Sequence, residues 1–175
     1  SVLTRLTWNV YWSYNPVIAA DSGNGLHVAW EEAIPGKWDI FYKRSTNSGA
    51  TWSAPTRMSW TIGDSWYPSI TVDTGSGVHI IWSDDNPGDK EIFYRASTNS
   101  GVSWSALNRL TWNSGQSWFP SIAADSSDTV HAVWGDDNPT NYEIFYKNRK
   151  WSRQDHPEAA KTTIKIFPYT EYNFA

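Results

Sequence analysis

Two kinds of side chain in this sequence could hold a ligand, and they recur together. Aromatic residues precede a proline in VYWSYNP, GDSWYP and GQSWFP, which contain Trp12 and Tyr14, Trp66 and Tyr67, then Trp118 and Phe119. Acidic and amide residues crowd a second set of turns, EEAIPGKWD, SDDNPGDKE and GDDNPTNYE, the last two holding Asp84, Asp85, Asp136 and Asp137. Flat rings beside carboxylates and amides suit carbohydrate, because sugar C–H faces stack on rings while hydroxyls bond oxygens. At least one such ring per repeat is expected to be exposed. The same rings could instead pack between structural units, and Asp-Asn-Pro is ordinary turn chemistry. Clustered oxygens would also suit Ca2+, although no EF-hand-like spacing exists and Ala33 and Ile34 interrupt the first turn.

Two further sets invite a chemical reading. His27, His79 and His131 look like a triad of metal ligands. Equivalent strand positions in successive units would lie far beyond the shared reach of Zn–N bonds of about 2.0–2.1 Å. Three buried imidazoles satisfied by neighbouring backbone is the expectation instead. Arg5, Arg57 and Arg109 fall on strands expected outermost, where ion pairing or stacking on a neighbouring unit suits them.

These sets are positioned by an internal repeat. STNSGATW, Ser45 to Trp52, returns as STNSGVSW, Ser97 to Trp104, 52 residues later. The same interval relates Trp8, Trp60 and Trp112, the prolines 16, 68 and 120, and IFY at 40–42, 92–94 and 144–146. Each copy holds strand candidates, such as SITVD, VHIIW and EIFYR, separated by Gly- and Ser-rich turns, and no segment shows a helical period. Asn-Ser-Gly between two apolar runs is hairpin chemistry, with glycine supplying the positive φ. Four short antiparallel strands in about 50 residues mark a propeller blade. The expected fold is therefore all-β, a β-propeller of three four-stranded blades over residues 1–150.

The strand count predicts an open ring. First strands are expected near Val17–Asp21, Ser69–Asp73 and Ser121–Asp125, and fourth strands near 2–8, 54–60 and 106–112. The strand at 2–8 thus has no blade ahead of it, and blade three lacks a fourth strand. Trp151 stands where a clipped third hairpin would close, and residues 151–175 read as a non-repeat tail in which TTIKIF is a strand candidate. Propellers typically have 4–8 blades. Either the chain belongs to something longer, or two copies close a six-bladed ring by homodimerisation, exchanging the strand at 2–8.

Composition narrows the classes further. A formal charge of −4 with no basic run argues against a nucleic-acid partner. No apolar stretch reaches the roughly 18–20 residues needed for a membrane span, and SVLTRLTW lacks the apolar run of a signal peptide. Cysteine is absent, so thiolate sites are excluded and no cofactor is implied. The 13 tryptophans demand either a β-rich core or binding surfaces.

The two repeated words resemble the Asp-box, or bacterial neuraminidase repeat, of sialidase-like propellers, Ser-x-Asp-x-Gly-x-Thr-Trp. Ser45, Gly49 and Trp52 match, as do Ser97, Gly101 and Trp104, while Asn47 and Asn99 replace the family's Asp and Ser103 its Thr. The likeness covers about residues 2–150. It implies that these eight-residue words are structural hairpins between third and fourth strands, opposite the catalytic face, and that the protein is secreted or at the cell surface. It does not imply activity. The family's hydrolases bind a carboxylate with three arginines and use a Tyr–Glu pair with an Asp. Its early Arg-Ile-Pro motif is absent here, and identical blades offer the same residue three times rather than a set of different ones. A non-catalytic, carbohydrate-binding module is therefore expected, its aromatic-acidic sites facing away from the hairpins. The alternatives are a protein-interaction scaffold and, third, a sialidase-like glycoside hydrolase.

Overall fold

A computed structural model describes residues 3–86, 88–138 and 141–150. Three antiparallel sheets follow one another along the chain. Blade one contains β1 (Ser13–Ala20), β2 (Leu26–Ile34), β3 (Lys37–Ser45) and β4 (Thr56–Arg57) in sequential order. Blade two repeats it with β5 (Ser65–Val72), β6 (Val78–Asp84), β7 (Glu91–Ser97) and β8 (Asn108–Arg109). Blade three has β9 (Ser117–Ala124), β10 (Thr129–Asp136) and β11 (Glu143–Lys150). The tail and Trp151 lie outside the described residues.

Three details depart from expectation. First strands begin four residues early, because the aromatic connections join the ladder through a register shift, as between Tyr14 and Val17 or Trp66 and Ser69. Fourth strands are two-residue ladders, because just beyond them the third strand keeps its carbonyl bond, Met58 N–H to Ile40 O and Leu110 N–H to Ile92 O, while its N–H turns to a hydroxyl. Ile40 N–H donates to Ser59 Oγ at 2.9 Å, and Ile92 N–H to Thr111 Oγ1 at 2.8 Å. Residues 3–8 form no ladder among the described residues.

The core lies between blades. Ala29, Ile40, Tyr42 and Met58 of blade one meet Ile70, Val78, Ile80, Trp82 and Phe93 of blade two. Ile81, Ile92, Tyr94 and Ala96 then meet Ile122, Val130, Ala132 and Trp134 of blade three. Middle strands are therefore apolar on both faces, as the runs LHVAW and VHIIW require. Fully burying each such side chain contributes about 1.5–3 kcal/mol. Innermost strands also bond across blades, with Ile122 N–H on Ser69 Oγ and Ala124 N–H on Thr71 Oγ1, both at 3.2 Å.

The STNSG hairpins occupy one end of the blades. Ser45 Oγ accepts Gly49 N–H at 2.9 Å, and Asn47 Oδ1 accepts Thr51 N–H at 2.8 Å. Asn47 Nδ2 donates to Thr51 Oγ1 at 2.9 Å, so the amide adds a bond that a carboxylate could not donate. Ser97, Asn99, Gly101 and Ser103 repeat the pattern. The closing tryptophans diverge. Trp52 Nε1 donates to Gly49 O at 3.1 Å within its own hairpin, whereas Trp104 lies edge-on to Tyr42 of blade one at 4.8 Å.

The histidines are held by side chains rather than by backbone. In each blade the ring bridges a tyrosine and an aspartate. His27 Nδ1 meets Tyr42 Oη at 2.7 Å and its Nε2 meets Asp21 Oδ2 at 3.3 Å. His79 and His131 do the same with Tyr94 and Asp73, and with Tyr146 and Asp125. With a proton on Nε2 the ring donates to the carboxylate, and an Nδ1 lone pair accepts from the phenol. Asp21 also caps its turn, accepting Gly23 and Gly25 N–H at 2.7 Å each.

Candidate functional site

The connections into β1, β5 and β9 meet the β2–β3, β6–β7 and β10–β11 turns at the end opposite the hairpins. Ala33 N–H bonds Trp12 O at 2.9 Å, Asp85 N–H bonds Asp64 O at 3.1 Å, and Asp137 N–H bonds Gln116 O at 3.4 Å. This end carries the aromatic residues singled out above, and it brings them together in two groups.

The first group belongs to blade one. Trp12 lies edge-on to Tyr14 at 6.2 Å, and Tyr14 leans on Trp38 at 5.6 Å. Trp12 and Tyr14 are exposed. The second group joins blades two and three. Tyr67 sits 4.5 Å from Phe119 and 6.2 Å from Trp118, which is itself 5.9 Å from Phe119. The Lys90 ammonium lies between two indoles, 4.8 Å from Trp66 and 4.2 Å from Trp118, each contact a cation–π attraction. Phe119 is 63% exposed, while Trp66, Tyr67 and Trp118 are half-buried. Blade two thus presents no fully exposed ring at its connection, contrary to expectation, because Lys90 covers Trp66 and Phe119 covers Tyr67.

Backbone geometry sets these rings. Asn15, Tyr67 and Phe119 occupy the same repeat position, each just before its proline, with φ of 47°, 55° and 51°. Positive φ is a few per cent event outside glycine, and for bulky residues a strained one costing on the order of 1–3 kcal/mol. Glu31 fastens the first two of these positions. This carboxylate is buried and accepts Asn15 Nδ2 at 2.8 Å and Tyr67 N–H at 2.5 Å, tying blade one to blade two. Glu31 has no acidic counterpart, since Ser83 and Gly135 stand at its equivalents. It is one of the residues at which the threefold pattern breaks, and that break is readable from the alignment of the copies.

The acidic turns are placed differently from expectation. Asp84 and Asp136 are 0% exposed. Asp84 Oδ2 accepts Ser65 Oγ at 2.7 Å, Thr61 Oγ1 at 2.9 Å and Trp82 Nε1 at 3.2 Å, while Oδ1 accepts Asn86 N–H at 3.0 Å. Asp136 accepts Ser117 Oγ and Asn113 Nδ2 at 2.7 Å each, and Asn138 N–H at 3.0 Å. Asp85 and Asp137 are half-buried and fasten the connections, accepting Asp64 N–H at 2.7 Å and Gln116 N–H at 2.5 Å. The oxygens expected to face a ligand or a Ca2+ ion therefore organise the turns that carry the rings. Among the described residues no three His, Asp or Glu side chains converge as a metal site.

The arginine set lies on the outer rim. Arg57 pairs with Asp39 at 2.5 Å, Arg109 pairs with Glu91, and Arg5, Arg57 and Arg109 stack over Trp8, Trp60 and Trp112 at 4.8, 4.5 and 5.9 Å. Burial pushes the Asp39 and Glu91 carboxyls above their usual range, with Ser59 and Arg57 opposing it at Asp39, and Thr111 and Arg109 at Glu91. The rim tryptophans Trp8, Trp60 and Trp112 are exposed, and their spacing of 52 residues displays them in the sequence.

No family model and no curated protein matches the sequence. Solved structures do match its fold. Hadza microbial sialidase Hz136 aligns with a TM-score of 0.62 at 13% identity, over 77% of this chain and 35% of that one. The endo-arabinase from Bacteroides thetaiotaomicron VPI-5482 aligns at 0.58 and 13%, over 87% of this chain and 61% of that one. The fold is that of a β-propeller. The alpha-L-arabinanase of Penicillium chrysogenum, solved with arabinobiose, aligns at 0.57 and 16%, over 84% and 49% of the two chains. This propeller chain thus spans between 35% and 61% of the length of those three structures. At such identities the likeness carries the fold and not the activity.

Proposed function

We propose that this propeller chain is a non-catalytic carbohydrate-binding module, its site the aromatic surface opposite the STNSG hairpins. The observation that carries the reading is the pair of ring groups, Trp12–Tyr14–Trp38 and Tyr67–Trp118–Phe119, held at one end by strained backbone and a buried Glu31. Rigid rings offer stacking area at little entropic cost, and exposed Phe119 and Trp12 present faces to a sugar. Two cavities among the described residues, about 240 and 220 Å3, lie at Arg44–Trp52 and Leu6–Trp30, each below the roughly 300–1,000 Å3 of a ligand pocket. An open platform suits a polymer better than a single small molecule. Closure to six blades by homodimerisation would repeat these rings around one axis and add avidity on a polyvalent glycan. The Asp-box likeness of the hairpins and an extracellular location belong to this same reading.

A glycan array probed with the 175-residue chain tests it. Binding is expected to be lost in Trp66→Ala and Trp118→Ala, and in Phe119→Ala, whose exposed ring can be removed without opening a core. Retained binding in all three would move the site elsewhere. The hydrolase alternative draws on the strained residues at Tyr67 and Phe119, since such strain clusters at active sites. Against it, the described arginines lie on residues 3–8 and on second-half strands β3, β4, β7, β8 and β11, away from the ring platform. Turnover of a fluorogenic sialoside or arabinoside would decide for the hydrolase.

A further inference from the structure

We propose that a second copy of this chain docks on the edge of blade three that is uncovered among the described residues, donating its residues 3–8 as a fourth strand beside β11. In blades one and two the third strand is covered by a fourth, with Phe41 opposite Arg57 and Phe93 opposite Arg109. The same repeat positions in blade three are Phe145 and, 52 residues before Arg57, Arg5. β11 has no partner on that side among the described residues, and Ile144 is 78% exposed where Ile40 and Ile92 are 0%. An exposed edge with an apolar face is a template for a further strand.

Residues 3–8 already have the shape of that strand. Arg5 Nε donates to Thr7 O at 2.7 Å, as Arg57 does to Ser59 O at 2.9 Å and Arg109 to Thr111 O at 2.6 Å. They also lie where a preceding blade would place its outer strand. Lys43 Nζ of blade one donates to Leu6 O at 2.7 Å, the bond that Lys147 Nζ of blade three makes to Leu110 O of blade two at 3.1 Å. The segment thus lies against blade one in the position that the outer strand of blade two takes against blade three.

Charge completes the match. Arg57 pairs with Asp39 and Arg109 with Glu91, one repeat apart. Arg5 and Glu143 hold the next equivalent positions, and neither has an ion pair among the described residues. One copy's Arg5 would meet the other's Glu143, and its Thr7 hydroxyl would accept Ile144 N–H as Ser59 and Thr111 do for Ile40 and Ile92. The apolar faces agree as well. Ile18 on blade one is 64% exposed, whereas Ile70 and Ile122, its equivalents at the filled interfaces, are 8%. The contact runs blade three to blade one in each direction, so a two-fold pair covers both faces that are uncovered among the described residues.

Light scattering on the 175-residue chain, with Arg5→Glu, Glu143→Arg and the double exchange, tests the proposal. The wild type should have twice the 19.9 kDa chain mass at micromolar concentration. Each single variant should dissociate at least about tenfold more readily, and the double exchange should recover to within about threefold, as close interfacial charge pairs do. Circular dichroism confirms that each variant folds. A wild type that stays monomeric overturns the proposal. So does a dimer indifferent to both single changes. A monomer destabilised by Glu143→Arg would place a segment of its own chain on β11 and equally overturn it.

Discussion

Asp84→Ala separates a structural from a ligand-facing carboxylate. Asp84 accepts four donors in a site with no exposure. Its removal strands them in a cavity. The Thr61 and Ser65 hydroxyls can rotate, and Thr61 Oγ1 already lies 3.5 Å from Gly63 O. The Trp82 indole N–H and the Asn86 backbone N–H cannot rotate away. One buried and one half-buried donor orphaned, at about 1–3 kcal/mol for full burial and less for the second, together with the cavity, put the loss near 3–4 kcal/mol. That is a large share of a typical total of about 5–15 kcal/mol. With an m-value of about 2–3 kcal/mol/M, the urea midpoint should fall by about 1–2 M at unchanged slope. Asp84→Asn keeps the shape and one acceptor oxygen, so it should lose roughly half as much. The assay is urea unfolding followed by tryptophan fluorescence, with glycan binding measured on the same samples. If Asp84→Ala unfolds within about 0.3 M of wild type yet loses its ligand, the carboxylate faces a ligand and the structural argument fails.

Other outcomes follow from the same geometry. Gly49 and Gly101 share the hairpin position and a φ of +85° and +78°, but a Cβ at Gly101 would run into the Tyr42 ring while one at Gly49 meets nothing nearer than 3.5 Å. Gly49→Ala should therefore cost about 1–2 kcal/mol of backbone strain and Gly101→Ala at least about twice that, compared by thermal unfolding. Burial holds His27 below the ordinary histidine range, outweighing the opposing pull of Asp21. Because the unfolded chain takes the proton first, stability is full above pH about 6.5 and falls as the pH drops through the window below it. His27→Gln should flatten that part of the stability–pH curve, and an unchanged slope between pH 7 and 5 would refute the assignment. Asp73 is held below its usual range, chiefly by its bond to His79, so its contribution persists through that window and is lost only at lower pH.

The repeat made most of the architecture legible. A spacing of 52 residues placed the blades, and Asn-Ser-Gly placed the hairpins, because turn chemistry is local. The Tyr–His–Asp chains were also written in the sequence, with Asp six residues before and Tyr 15 residues after each His, but only a three-copy reading exposes them. The burial of Asp84 could not be read, since its donors Thr61 and Ser65 come from a connection whose approach is set by tertiary packing. Nor could the bulge at Tyr67 and Phe119. A residue before proline is biased towards extended backbone, and only the clamp from Glu31 on Tyr67 N–H shows what holds one of them at positive φ. Of the rings singled out, Trp12, Tyr14 and Phe119 are exposed and Trp66, Tyr67 and Trp118 are half-buried, while the carboxylates grouped with them organise the turns beneath.

The most direct test of the carbohydrate reading is to follow the 13 tryptophan indole N–H signals by NMR while titrating a glycan that binds on the array. The signals of Trp12, Trp66 and Trp118 should move with a common saturation curve, while Trp52 and Trp104 in the hairpins stay fixed. Movement confined to the rim indoles Trp8, Trp60 and Trp112, or to the hairpins, would contradict the account.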